Sequence, residues 1–200
     1  MAKPLPLNDR LSIASHQAAR AKNFWQIYWF YKHERAAIAD VWERFPFFLQ
    51  CDLLSHFIAF VISTCAVLEE SRDDTANVHH LFEEMEREGL LKPEVTKFVN
   101  DELGKIALVK PKMRKLRNKL YGHRDNTRLH EDWLKQVNVT FDEMSLYGDV
   151  AISVVNALCR VRSVPEQYPL SEPLSELRRV LGKLSALPDD DPPFMKAFTA

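Results

Sequence analysis

The segment PFFLQCDLLSHFIAFVISTCAVL, residues 46–68, decides the fold. Pro46 suits the first turn of a helix, where its missing N–H sacrifices no hydrogen bond. Behind it, Leu49, Leu53, Leu54, Phe57, Ile58, Val61, Ile62, Cys65 and Leu68 recur at three- and four-residue intervals. They follow the helical repeat and are too many for one face. The spacing predicts a central helix covered on most sides. Its length would also suit a membrane span, but Gln50, Asp52, His56 and Ser63 interrupt the apolar run. A buried core helix explains it better.

The same repeat continues outward. On the N-terminal side, Asn8 can cap a helix running through the aromatic segment 24–31, with residues 36–42 continuing it after a bend. On the other side, Asp73, Asp74 and Thr75 offer a turn and an N-cap for a helix holding Val78, Leu81, Phe82 and Met85, which Gly89 ends. Pro93 opens a further helix with Val95, Phe98, Val99, Leu103 and Ile106. Pro111 either kinks it or opens the next one, on which Met113, Leu116 and Leu120 face inward as far as Gly122. Thr140-Phe141-Asp142-Glu143 reads as a capping box, with Val139 and Met144 placed for a hydrophobic staple. Met144, Tyr147, Ala151, Val154, Leu158 and Val161 then form a regular stripe. No strand alternates over more than about five residues. The expected class is all-α, an antiparallel bundle of long helices with a C-terminal appended helix.

Composition agrees, with 5 glycines against 46% hydrophobic residues in 200. Residues 1–163 read as one helical domain and 164–200 as a Pro-rich tail, since six of the eleven prolines fall beyond Val164. Within the tail, one amphipathic helix over about 173–187 carries Leu174, Leu177, Leu181 and Leu184, as a docking appendage or a partner helix. A disordered end follows it. Cys51, Cys65 and Cys159 lie on predicted apolar faces and read as buried thiols in a reducing compartment. The N-terminus lacks the apolar core of a signal peptide, so a cytoplasmic protein with no membrane association is expected. A net charge of -1 gives no global nucleic-acid signature, and any polyanion site must be a local patch.

One block provides such a patch. Residues 105–124 carry eight Lys or Arg and no Asp or Glu, and include Arg117-Asn118-Lys119-Leu120-Tyr121-Gly122-His123-Arg124-Asp125. At about 100° per residue, Arg114, Arg117 and Tyr121 share one flank of a helix. Gly122 lets the chain leave that helix, so His123 can turn back toward the same flank. Metal-independent RNA cleavage needs a base for the ribose 2′-hydroxyl and a cation for the non-bridging phosphate oxygens. Histidine titrates near neutrality, and arginine offers a permanently charged planar fork. Arg117 and His123 are the candidate catalytic pair. Asn118, Tyr121 and Asp125 support them, and Arg114, Lys119 and Arg124 suit phosphate contacts. No cofactor and no metal is called for.

These residues resemble the HEPN superfamily, whose signature is Arg, a polar residue, a short spacer and His. The run from Arg117 to Asp125 looks most like the abortive-infection U-type branch, and the likeness extends over residues 41–158. The resemblance implies a dimeric helical bundle that cleaves RNA without metal, in phage defence or a toxin–antitoxin pair. RNA, a second copy and an antitoxin or other protein are therefore the expected partners, with no DNA specificity evident. Some HEPN toxins carry Tyr two positions after the His, where a nucleotidyltransferase antitoxin modifies it. This chain has Asp125 there, which does not support that form of control.

Blander readings stand beside these. Arg117 and His123 can serve simply as the cationic end of a helix, and a non-catalytic HEPN module would bind RNA, a nucleotide or a protein. A helical scaffold that docks a partner through its C-terminal helix is a further alternative. His123-Arg124-Asp125 matches a kinase catalytic loop, but no Gly-rich loop or Asp-Phe-Gly accompanies it. His79 and His80 precede Glu83 and Glu84 by four residues, which reads as a solvated helical ion pair rather than a metal site. The aromatic cluster Phe24, Trp25, Tyr28, Trp29, Phe30 and Tyr31 reads as core or dimer interface, with base stacking as the alternative.

Overall fold

The structure, a computed structural model, describes residues 5–70, 76–122 and 130–186. Its described residues are helices and connectors, with no strand among them. In chain order the helices are α1 (Leu7–His33), α2 (Ala39–Arg44), α3 (Pro46–Leu68), α4 (Val78–Arg87), α5 (Pro93–Lys105), α6 (Lys110–Gly122), α7 (His130–Val137), α8 (Phe141–Val161) and α9 (Glu172–Ser185). A short 3₁₀ turn, Arg35–Ile38, makes the bend between α1 and α2.

The central element is α1 rather than α3. Its buried Ala14, Ala18 and Ala21 let two long helices approach closely, α3 on one side and α8 on the other. Both run antiparallel to it. Trp25 meets Phe60, Tyr28 meets Phe57, and the Tyr31 hydroxyl donates to Asp52 at 2.7 Å. On the other side, Lys22 donates to Ser145 and the Ser15 hydroxyl to Asn156. The third edge of this layer closes at Gly148 of α8, where an added Cβ would lie 3.2 Å from the Phe60 ring. Tyr28, Tyr31, Tyr147, Phe57 and Phe60 are fully buried.

Helix α3 begins at Pro46 as its sequence predicts, but one face is not covered by described residues. Phe47 is 82% and Phe48 59% exposed, and Cys51 on the same end is exposed rather than buried. Helices α3 and α8 are both long and apolar enough to cross a membrane, and half or more of each apolar window is buried in the bundle.

Several ends follow their local chemistry. Gly89 takes φ +67°, with Leu90 N–H donating to Met85 O and Gly89 N–H to Glu86 O, the paired bonds of a Schellman stop. Thr140 and Glu143 form both bonds of the capping box, and Val139 and Met144 on either side of it are buried. Two caps differ from expectation. Helix α1 starts after Pro6, so Asn8 lies in its first turn and accepts instead from Arg162. The N-cap of α4 is Asn77, whose side chain accepts from His80 N–H, while residues 73–75 lie outside the described chain. The sequence reading also missed α7, whose eight residues are too few to establish a helical period.

Past α8 the chain is fastened to the bundle. Gln167 N–H donates to Ser15 Oγ at 3.1 Å, and Asn156 Nδ2 donates to Gln167 O at 2.8 Å. Helix α9 then lies against α1 and α2, with Leu181 buried and Arg44 donating to the Leu184 carbonyl. It occupies the span expected for the appended helix, and the end expected to be disordered, from 187 on, lies outside the described residues.

Candidate functional site

Helix α6 carries the basic block across the C-terminal end of α3. Met113 and Leu116 are fully buried and fix its rotation. With about 100° per residue, Lys110, Arg114 and Arg117 fall on one side of this inward stripe, and Lys112 and Lys119 fall about half a turn away. The first set faces the end of α3 and the start of α4. The second set faces α7 and α8.

On the α3 side, Arg117 donates from Nη1 to Glu69 Oε2 and from Nε and Nη2 to Asn118 Oδ1, the latter at 2.8 Å. Glu69 is the residue just past α3, in extended backbone, and its side chain is 7% exposed. Its main chain is held in turn by Asn77, a fully buried residue that donates from Nδ2 to Glu69 O at 2.8 Å while capping α4. Glu69 Oε1 is buried and has no hydrogen-bond partner among the described residues. Tyr147 of α8 is buried nearby, its phenol held well above the usual range by burial first and by Cys65 second, with Arg117 and Arg114 pulling the other way.

A second group adjoins the pair. Lys110 donates to Glu70 at 2.7 Å and lies 3.2 Å from His79 Nε2, which also lies 3.3 Å from the Leu68 carbonyl. The lysine bond, followed by its charge, depresses the Glu70 carboxyl. Burial, then the Lys110 charge, depresses His79 below its ordinary value and favours the neutral imidazole. Where the sequence predicts pairing with Glu83 and Glu84, His79 lies against Lys110 and Glu70, with Glu83 acting on it more weakly through charge, and Glu84 takes Arg10 at 2.6 Å.

The other candidate residues are distributed as follows. Arg114 and Asn118 are exposed on α6. Lys119 turns away to Gln136 of α7 at 2.6 Å, so it is not beside Arg117. Tyr121 lies in the last turn of α6. His123, Arg124 and Asp125 lie outside the described residues. Sequence reasoning missed Glu69, Glu70 and Asn77, and gave His79 the wrong partner. The available signal was a pair of carboxylates directly behind a 23-residue apolar helix, where a charge at the bundle's end must find a partner.

The fold and site therefore define an all-α protein with a cationic helix anchored by a buried carboxylate. Comparison with known proteins gives no match: no family model, no curated protein and no solved structure matches this chain.

Proposed function

We propose that this protein is a metal-independent endoribonuclease of the HEPN type, acting in the cytoplasm in phage defence or as a toxin. The observation that carries the reading is the presentation of Arg117. Two acceptors, Glu69 and Asn118, hold its guanidinium, and one N–H on each terminal nitrogen remains for phosphate oxygens. Arg114 is exposed one turn earlier on the same flank. His123 follows the helix by one residue past Gly122.

In this mechanism His123 takes the proton of a ribose 2′-hydroxyl as that oxygen attacks phosphorus. Arg117 stabilises charge on the non-bridging oxygens, and the P–O5′ bond breaks. The products are a 2′,3′-cyclic phosphate and a 5′-hydroxyl, the latter protonated by a second acid. A second copy of the chain supplies that acid in a two-fold cleft. Asn118, Tyr121 and Asp125 support the pair, and Arg124 grips the strand.

The test is RNA cleavage by the purified protein in EDTA. Wild type should leave cyclic-phosphate ends, and Arg117→Ala and His123→Ala should each lose about 100-fold or more, the range for removing an electrostatic or proton-transfer partner. Full activity in His123→Ala contradicts the reading. Light scattering should give a mass near twice 23.2 kDa. One observation favours a second reading, a non-catalytic HEPN module that binds RNA, a nucleotide or a protein partner such as an antitoxin: Glu69 already neutralises much of the Arg117 charge. That reading predicts salt-sensitive binding with no turnover.

A further inference from the structure

The aromatic segment of α1 is divided by the fold. Trp25, Tyr28, Phe30 and Tyr31 are buried, whereas Trp29 is 37% exposed and belongs to a surface groove. Two surface cavities share Phe141 as a common wall. One, of about 340 Å³, is lined by Trp25, Trp29, Phe141, Gln26, Asp142 and Lys22, the lysine paired with Asp149 at 2.8 Å. The other, of about 540 Å³, is lined by Lys32, Lys135, Asn138, Thr140 and Phe141, with no carboxylate among its described lining residues. Trp29 meets Phe141 edge-on at 5.6 Å, and His33 stacks on Trp29 with centroids 3.6 Å apart. Lys135 is exposed and makes no ion pair among the described residues. The two differ in chemistry: in one the aromatic faces stand beside Asp142 and a lysine already paired with Asp149, and the other presents Lys32 and Lys135 with no carboxylate among its described lining residues.

From this juxtaposition we infer that the groove between Trp29 and Lys135 is a nucleotide-binding site for single-stranded RNA, separate from the Arg117 flank. It rests on the proposal that RNA is the ligand. The base enters the Trp29–Phe141 cavity and extends or replaces the His33 stack, a contact available to every base because each has a π-face. Gln26 and Asp142 face the base edge, where a carboxylate can accept from an exocyclic amine. The phosphate lies toward Lys32 and Lys135, away from Asp142. The reverse orientation would set two anions together. Gln136 and Glu143, which hold Lys119 and Lys112 of α6, border this wall, so the groove adjoins the face of α6 opposite Arg117. A strand bound here must pass over the end of that helix, whose width is about 10 Å, to reach Arg117. The groove thus selects unpaired RNA, since a paired base has no exposed face to stack.

The experiment measures binding of a fluorescein-labelled 2′-O-methyl oligouridylate 12-mer, which lacks the attacking hydroxyl and is not cleaved, to the full chain in EDTA. Trp29→Ala should weaken binding about tenfold, and Trp29→Phe should stay within about threefold of wild type. Lys135→Glu, at an exposed position, should weaken binding and flatten its salt dependence. A duplex of the same sequence should compete poorly, and inorganic polyphosphate should be insensitive to Trp29→Ala. Binding unchanged in both Trp29→Ala and Lys135→Glu overturns the inference. So does an equal loss of polyphosphate binding in Trp29→Ala, which marks a distorted fold or a plain anion patch. RNA binding that depends on Trp29 without any cleavage would defeat the nuclease reading and leave this site standing. Cleavage of unmodified RNA that survives Trp29→Ala unchanged would do the reverse.

Discussion

The two sides of α6 carry the same kind of residue and meet opposite fates. On the α3 side, Arg117 and Glu69 form a pair whose side chains are 16% and 7% exposed. On the α7–α8 side, Lys112 and Glu143 pair at 27% and 26% exposure, and Lys119 reaches a neutral glutamine. Charge pattern along a helix therefore does not set what each charge meets. A lysine over the open start of α8 exchanges one hydrated setting for another. An arginine bonded to a buried carboxylate at the end of an apolar helix is held in place by that pair.

The largest effect should come from breaking the buried pair. Glu69→Ala leaves the Arg117 guanidinium half of a buried pair with no counter-charge, and should lower the free energy of unfolding by about 3–5 kcal/mol. Urea unfolding measures it. Replacing both partners, Glu69→Leu with Arg117→Met, should recover most of that stability and leave RNA cleavage lost. A double variant that remains as unstable as the single one would show that the site needs the charges for folding as well.

The other side should respond less. Thr140→Ala removes the side-chain acceptor of the α8 cap and should cost about 1 kcal/mol. Lys112→Ala breaks only a partly hydrated pair and should cost at most about 1 kcal/mol in the same urea assay. If Lys112→Ala matched Glu69→Ala, the contrast between the two faces would fail.

Acid should separate the faces as well, with the smallest signal. His79 is depressed in the folded protein, first by burial and then by Lys110, so the unfolded chain binds its proton more readily. Its contribution is present above the unfolded value of about 6.5 and is lost as pH falls below it. Glu143 is depressed chiefly by Lys112, so its contribution is lost only as pH falls below the ordinary glutamate value of 4.5. Thermal melts from pH 7.5 to 5.5 should show a declining midpoint that His79→Gln flattens. Lys112→Ala should leave that slope unchanged.

Much of the fold was legible because it rests on local physics. The Pro46 start, the Gly89 stop and the Thr140–Glu143 box are written within four or five residues, and the structure carries out each of them. The rotation of α6 was legible too, since Met113 and Leu116 give its buried stripe. What failed needed distant partners. Asn8 is a good capping residue in isolation, yet Arg162, 154 positions away, takes its side chain. His79 has glutamates at helical spacing, yet Lys110 and Glu70 lie closer in space.

Local sequence was enough to make the chain helical, to place several helix starts and stops, and to concentrate positive charge on one helix beside an Arg–His motif. Periodicity and caps are short-range, and a single helix period fixes which residues turn inward. It took packing of the whole chain to make α1 the central helix, to set Glu69, itself held by Asn77, against Arg117, and to leave Trp29 more exposed than Trp25, Tyr28, Phe30 and Tyr31. Those outcomes depend on which helix faces meet, and pairings between residues tens of positions apart are set by packing the whole chain at once.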